Sequence, residues 1–177
     1  MKYLIMCEGP NELEVIRMLL ENDKMIFTED DLLNLVPYHA RQIENNAAVK
    51  TALNLYPGEV VVIRVGDKLN DELKIPRAYK NKIRSVTKYC TKPELEMLLI
   101  ISEKLDLKFE KVKSKMPPKV FSKENIIYNR IRYDNSSAFY REYYGTRINL
   151  LVDTIKRYKQ LKSKHQKDEL YLADLLK

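Results

Sequence analysis

Apolar residues in this chain fall into short unbroken runs that alternate with helix-spaced ones. "KYLIMC" (2–7) is apolar almost throughout and stops on Glu8 and Gly9, which predicts a short buried strand. In "PNELEVIRMLLENDK" (10–24), Leu13, Ile16 and Leu20, with Val15 and Leu19, recur at the spacing of one helix face. Pro10 suits the first turn of that helix, and Glu12 and Glu14 lie near its positive end. "TEDDLL" reads as a second helix start, with Thr28 as cap and Asp31 three residues on. "VPYHARQI" is expected to be extended, because Pro37 biases Val36 away from helix. "NNAAVKTALNLY" (45–56) predicts a helix closed by Pro57 and Gly58. "EVVVIRV" (59–65) is the clearest strand. Being β-branched and apolar nearly throughout, it belongs at the centre of a parallel sheet, covered on both faces. "RSVTKYC" (84–90) predicts a further strand, and Thr91 with Glu94 forms a capping box opening "KPELEMLLIISEKL". Strand and helix alternate three times, the pattern of an open α/β sheet.

After about residue 106 the pattern changes. "KVKSKMPPKVFSKEN" is a basic linker broken by Pro117 and Pro118. The remainder reads as helical: "SSAFYREYY" ending on Gly145, then "RINLLVDTIKRYKQLKSKH", then "DELYLADLL". The expected organisation is an α/β core over 1–106, followed by a basic linker and helical extension over 107–177 packed on that core.

Composition narrows the class. A length of 177 residues with 45% apolar and 32% charged content suits one soluble globular unit with a sizeable core. No run of about 18 apolar residues would span a membrane. "MKYLIMCEGP" has too short an apolar core for a signal peptide. Cys7 and Cys90 lack metal-type spacing and read as buried free thiols, which fits a cytoplasmic setting. The net charge of +7 is unevenly spread: residues 1–57 carry −4 and the rest +11. Residues 74–92, "KIPRAYKNKIRSVTKYCTK", hold seven cations, two tyrosines and no acid. Such a patch attracts polyanions, nucleic acid first, although a lysine-rich solvated face has the same composition.

Three predicted strands run out into acids. The first ends at Glu8 and Gly9, with Asn11 and Glu12 following; the second gives Asp67 and then Asp71. The third leads through "CTKPELE" to Glu94 and Glu96. Ligands of an open α/β sheet bind at the carboxyl ends of its strands, so these carboxylates are expected on one edge. Hard oxygen ligands in that number suit Mg²⁺ or Mn²⁺, and without a cation they would repel one another. Each acid also has a local explanation. Glu8 and Glu12 favour a helix N-terminus, Glu94 serves the capping box, and Asp67 and Asp71 suit a turn.

"LIMCEGPNELEVIRMLL" resembles the first motif of Toprim domains, a strand ending in Glu-Gly followed by a helix with a further Glu. "VVVIRVGDKLND" is similar to the second motif, with Asp67 in the first acidic place, Leu69 in the second and Asp71 in the third. "YCTKPELEMLLI" resembles the Ser-Asn-Pro-x-x-Glu segment of small Toprim-like proteins of the RloB type, with Lys92 where Asn is usual and Pro93 and Glu96 in their places. The resemblance covers roughly residues 2–105. It implies a Rossmann-like Toprim sheet and Mg²⁺- or Mn²⁺-dependent chemistry on phosphodiesters of DNA or RNA. It also implies a phage-defence or mobile-element setting with an ATPase or other defence subunit as partner. Glu8, Asp67 and Glu96 would be catalytic, Glu8, Asp67, Asp71 and Glu96 would hold the metal, and Glu12 and Gly9 would support them. By the same resemblance Glu8 could serve as general acid or base.

Phosphate contacts are expected from Arg64, Lys68, Arg77, Lys80, Lys82 and Lys92, and from His39 and Arg41 of "PYHARQ". His165 reads as a solvated helix residue. The tyrosines of "FYREYYG" would either stack on bases or pack a helix, and their spacing suits packing better. "KRYKQLKSKHQK" is either a phosphate-contacting stripe or a solvated face. The chain has no Gly-rich phosphate loop, so any ATPase would be a separate protein. A non-catalytic Toprim-like module that binds nucleic acid or a partner is the rival expectation.

Overall fold

The computed structural model describes residues 1–67, 72–91, 94–161 and 169–177. The first half is built of β1 (Lys2–Cys7), α1 (Pro10–Glu21), β2 (Tyr38–His39), α2 (Ala47–Leu55), β3 (Val60–Gly66) and β4 (Ile83–Cys90). The second half holds α3 (Met97–Ser102), α4 (Asp106–Glu110), α5 (Pro118–Asn125), β5 (Ile127–Tyr128), β6 (Ile131–Arg132), α6 (Ser137–Tyr144), α7 (Ile148–Leu161) and β7 (Leu170–Tyr171). Five strands make one parallel sheet in the order β2-β1-β3-β4-β7. The β-branched run of β3 lies at its centre, as its two-sided apolar pattern predicts.

Alternation along the strands sorts the core into two layers. Ile5, Cys7, Ile63 and Val65 face α1, α3, α6 and α7, while Leu4, Met6, Val60 and Val62 face α2 and Tyr79. Both cysteines are buried and neither is in a disulfide, and burial pushes the Cys7 thiol far above its ordinary range. Tyr140, Tyr143 and Tyr144 are wholly buried, so the tyrosines of α6 are packing residues. Arg141 ties α6 to Glu14 and Glu21 of α1. The Ser102 hydroxyl links α3 to Tyr144 and Thr154 at 2.9 Å each. Among the described residues no helix is long and apolar enough to cross a membrane.

Local signals hold in several places. Thr28 and Asp31 form the expected capping box on a 3-10 turn, and Gly145 caps α6. Two expectations need correction. The capping box at Thr91 and Glu94 does not form: α3 begins at Met97, and Glu94 Oε2 instead accepts the Lys119 N–H at 2.9 Å. Nor is the chain beyond 106 helical throughout. "DELYLADLL" supplies β7, because the open edge of β4 offers its backbone a ladder at Tyr89↔Leu170 and Cys90↔Tyr171. Residues 127–132 form a hairpin whose two-residue turn places Asn129 and Arg130 at φ 49° and 66°, the left-handed pair such a turn demands.

Leu172, Leu175 and Leu176 are buried in the same core as α1 and β3. We therefore predict that Leu175→Ala costs about 3 kcal/mol and lowers the melting temperature by about 6–12 °C in one cooperative transition. Two separated transitions in calorimetry, with only one shifted, would contradict a shared core.

Candidate active site

The chain crosses from β1 outward to β2 and from β3 in the opposite direction to β4, so the connections leaving the carboxyl ends of these paired strands diverge, which is where an open sheet forms its crevice. Register sets what emerges into it. Cys7 pairs with Val65, and the Glu8 N–H donates to the Val65 carbonyl at 2.9 Å, bringing Glu8 beside Gly66 and Asp67. The Glu8 carboxylate lies directly over Gly66, where an added Cβ would sit 2.3 Å from Glu8 Cδ. Glu8 is only 7% exposed and Arg64 of β3 only 2%. Arg64 Nη2 reaches Glu8 Oε1 at 3.5 Å and donates to the Arg41 carbonyl at 3.2 Å. Arg41 is exposed at the rim, with Nε donating to the Glu8 carbonyl at 3.2 Å. His39, exposed at the end of β2, completes this flank.

On the other side of Glu8 opens a cleft of about 300 Å³ lined by Gly9, Asn11, Glu12, Asp67, Glu94 and Glu96. Glu12 comes from the first turn of α1, Asp67 from the exit of β3, and Glu94 and Glu96 from the approach to α3. Gly9 lets Glu12 fold back over the chain, since a Cβ there would meet Glu12 Oε2 at 2.4 Å. Burial first, and then the charges of Asp67, Glu96 and Glu8, hold the Glu12 carboxyl above the usual carboxylate range. Glu94 is shifted the same way, by burial and then by Glu96 and Asp67, against the opposing pull of Lys119. These shifts show that the acids of three strand ends share one electrostatic environment.

The wall opposite α1 is built by the second half of the chain. Tyr133 Oη donates to Glu96 Oε1 at 2.8 Å. Burial and the Glu96 charge push the Tyr133 phenol far above its ordinary range, so it meets Glu96 as a neutral donor. Asn135 Nδ2 donates to Tyr133 Oη and Glu96 Oε1 at 3.1 Å each, and its Oδ1 accepts from Lys119 Nζ at 3.0 Å. Asn11 Nδ2 approaches the Asn135 carbonyl at 3.4 Å, while the buried Asn11 Oδ1 has no hydrogen-bond partner among the described residues.

Of the expected site residues, the fold gathers Glu8, Gly9, Glu12, Asp67 and Glu96 at one edge, with His39 and Arg41 on the rim. Asp71, Lys68 and Lys92 lie outside the described residues, as do Leu69, Pro93 and His165. Arg64 is not placed to meet a phosphate, because its guanidinium is buried against Glu8. Arg77, Lys80 and Lys82 lie at the opposite edge. The Lys82 carbonyl accepts from Val60 at the start of β3, and Lys82 Nζ donates to the Leu53 and Tyr56 carbonyls at the end of α2. A seven-residue strand, about 20 Å long, separates them from the acids. The stripe at "KRYKQL" is in part tied inward, by Lys159 to Asp174 and Arg157 to Asp106. Sequence reasoning missed Lys119, Tyr133 and Asn135, and assigned Glu94 to a cap. No local pattern marks the first three, which reach the cleft through tertiary packing.

The chain matches no protein-family model, no curated protein and no solved structure. The donor set suits a hard divalent cation: four carboxylates, of which Glu12 and Glu94 hold their protons more tightly than usual, beside the Asn11 amide oxygen. Among the described residues no three Asp, Glu, His or Cys side chains already converge as a metal cage. Mg²⁺ seldom asks for one, being held by one or two carboxylates together with waters and substrate phosphate oxygens.

Two predictions follow from this geometry. Gly66 has ordinary extended backbone, so Gly66→Ala tests only the space that Glu8 occupies. It should cost about 1–3 kcal/mol, read as a lower urea midpoint at unchanged slope; an unchanged midpoint would remove the close approach. Glu12 titrates higher folded than unfolded, so the folded state binds the extra proton between those two values. Stability then falls as pH rises through that window. Glu12→Gln removes the repulsion, and each ~1 kcal/mol relieved should raise the melting temperature by about 2–4 °C at pH 7.5. The gain should disappear near pH 4, where the wild-type carboxyl is protonated, and a gain independent of pH would contradict the assigned cause.

Proposed function

We propose that this chain is a Toprim-type, Mg²⁺- or Mn²⁺-dependent nuclease that hydrolyses phosphodiesters of DNA or RNA. The observation that carries the reading is the cleft at the β1/β3 edge, where Glu12, Asp67, Glu94 and Glu96 are held close enough to perturb one another. The Glu-Gly exit of β1 and Asp67 after β3 belong to the stretches that resemble Toprim motifs, which supports the same reading. Asp67 and Glu96, with Asp71, would hold the ion. When bound, that ion would polarise the scissile phosphate and offset charge in the transition state.

The chain's own groups supply the rest. Glu12, with its raised proton affinity, is suited to exchange a proton with the attacking or leaving oxygen. Tyr133 and Asn135 fix Glu96 so that one of its oxygens is oriented before substrate arrives. Gly9 and Gly66 leave the room in which the Glu12 and Glu8 carboxylates lie against the backbone at this edge. A phage-defence setting, with an ATPase or other subunit beside it, belongs to the same proposal.

One observation favours the second reading, a non-catalytic module that binds nucleic acid or a partner. Arg64 already supplies a cation beside Glu8, the acid of the first motif.

Cleavage of labelled single-stranded and duplex DNA and RNA separates the two. We expect Mg²⁺- or Mn²⁺-dependent turnover that Glu8→Gln and Asp67→Asn each reduce by at least 100-fold, about 2.7 kcal/mol of transition-state stabilisation, with circular dichroism and binding retained. Binding without turnover in either metal would establish the second reading. Metal-independent cleavage that survives both substitutions would overturn the site assignment.

A further inference from the structure

The cations singled out in residues 74–92 lie in part at the wrong edge to guide a substrate into the cleft. Lys119 does not. Among the described residues it is the one cationic side chain lining the cleft, it is exposed, and Asn135 Oδ1 accepts from its ammonium at 3.0 Å. Asn135 is itself tied to Glu96 and Tyr133, so the ammonium is positioned by the same network that positions a cleft carboxylate. From Lys119 a short line of cations leads away from the site. Lys123 lies one helical turn further along α5, on the same face. Arg132 of β6 donates to the Lys123 and Glu124 carbonyls at 3.1 and 3.0 Å, which clamps the hairpin to the end of α5. Arg130 stands at the hairpin tip. All four residues are exposed, and over 119–132 Glu124 is the only acid among them.

We propose that α5 and the β5–β6 hairpin form the track for the nucleic-acid backbone, with Lys119 anchoring the phosphate at the mouth of the acidic cleft. The inference deepens the nuclease reading by assigning the surface along which the substrate lies. It also explains how an acidic cleft could receive a polyanion: Lys119 meets the phosphate at the point where the carboxylates alone would repel it. The hairpin, with its tight turn and its clamp on α5, gives the track a fixed shape before binding. A preformed surface loses less conformational freedom on association than a flexible arm would.

Equilibrium binding of a fluorescent oligonucleotide in EDTA, titrated from about 50 to 300 mM salt, tests the track without any turnover. Each phosphate contact contributes about 0.7 (single strand) to 0.9 (duplex) to the slope of log affinity against log salt. Lys119→Ala, Lys123→Ala and Arg130→Ala should each reduce the slope by about that amount, and the triple variant by about 2–3. Lys119→Arg should restore the lost slope, which a merely structural role for the lysine would not require. Melting temperatures of the variants confirm that each is folded. Unchanged slopes in the triple variant overturn the proposal. So does a loss of slope confined to Arg77→Ala and Lys80→Ala, which would place the track at the opposite edge. Failure of the nuclease reading appears separately, as absence of cleavage in Mg²⁺ or Mn²⁺ by a wild-type protein whose salt-dependent binding still runs through Lys119.

Discussion

The register between β1 and β3 is the constraint on which the site depends. Because Cys7 stands opposite Val65, the two strands release Glu8 and Asp67 at the same level of the sheet. A slip of one residue would turn Leu4 and Met6 toward the wrong layer, so the apolar alternation that builds the core also fixes where the acids emerge. Gly66 is the second half of this arrangement. With no side chain at the last position of β3, the Glu8 carboxylate lies flat on the sheet edge instead of being driven outward.

Concentrating carboxylates at a partly buried edge is unfavourable, and the surrounding structure offsets it in several ways. Arg64 supplies a buried guanidinium beside Glu8, and Tyr133 and Asn135 donate to Glu96. Glu94 accepts the Lys119 N–H and has the lysine's charge nearby. What is left over falls on Glu12, whose proton affinity is raised by burial first and then by the charges of Asp67, Glu96 and Glu8. Carboxyls perturbed by burial together with specific neighbouring charges recur at functional sites, and structural ion-pair networks produce them too.

Much of the sheet was legible in the sequence because parallel strands covered on both faces read as unbroken apolar runs. "KYLIMC", "EVVVIRV" and "RSVTKYC" fall on β1, β3 and β4, and the acids after the first two reach one edge as the rule for open sheets requires. Arg64 illustrates a signal that was present but read too simply. An arginine inside a strand buried on both faces must find a counter-charge, and Glu8 lies two positions beyond its β-ladder partner Met6, on the same side of the sheet. Glu94 illustrates the opposite case: its spacing from Thr91 satisfies the capping rule, yet a distant N–H from Lys119 holds its carboxylate. The hairpin turn was hidden because Asn129-Arg130 lacks the glycine that usually announces left-handed backbone. β7 was hidden because two residues carry no periodicity, and only the free edge of β4 makes them a strand.

The chain's uneven charge acquires a spatial meaning once the fold is in place. The N-terminal acidic excess contributes to a cleft, while two sets of cations from the rest of the chain lie in different places. Arg77, Lys80 and Lys82 decorate the far edge of the sheet, where Lys82 serves to cap α2. Lys119 lines the acidic cleft, and Lys123, Arg132 and Arg130 lead away from it along α5 and the hairpin. Among the described residues, only Lys119 of these cations lines the cleft that a phosphate would enter. Proximity to the carboxylates therefore matters more than the density of lysines along the sequence. The part of the chain that completes the sheet with β7 also supplies the cleft with its lysine, its tyrosine and its asparagine.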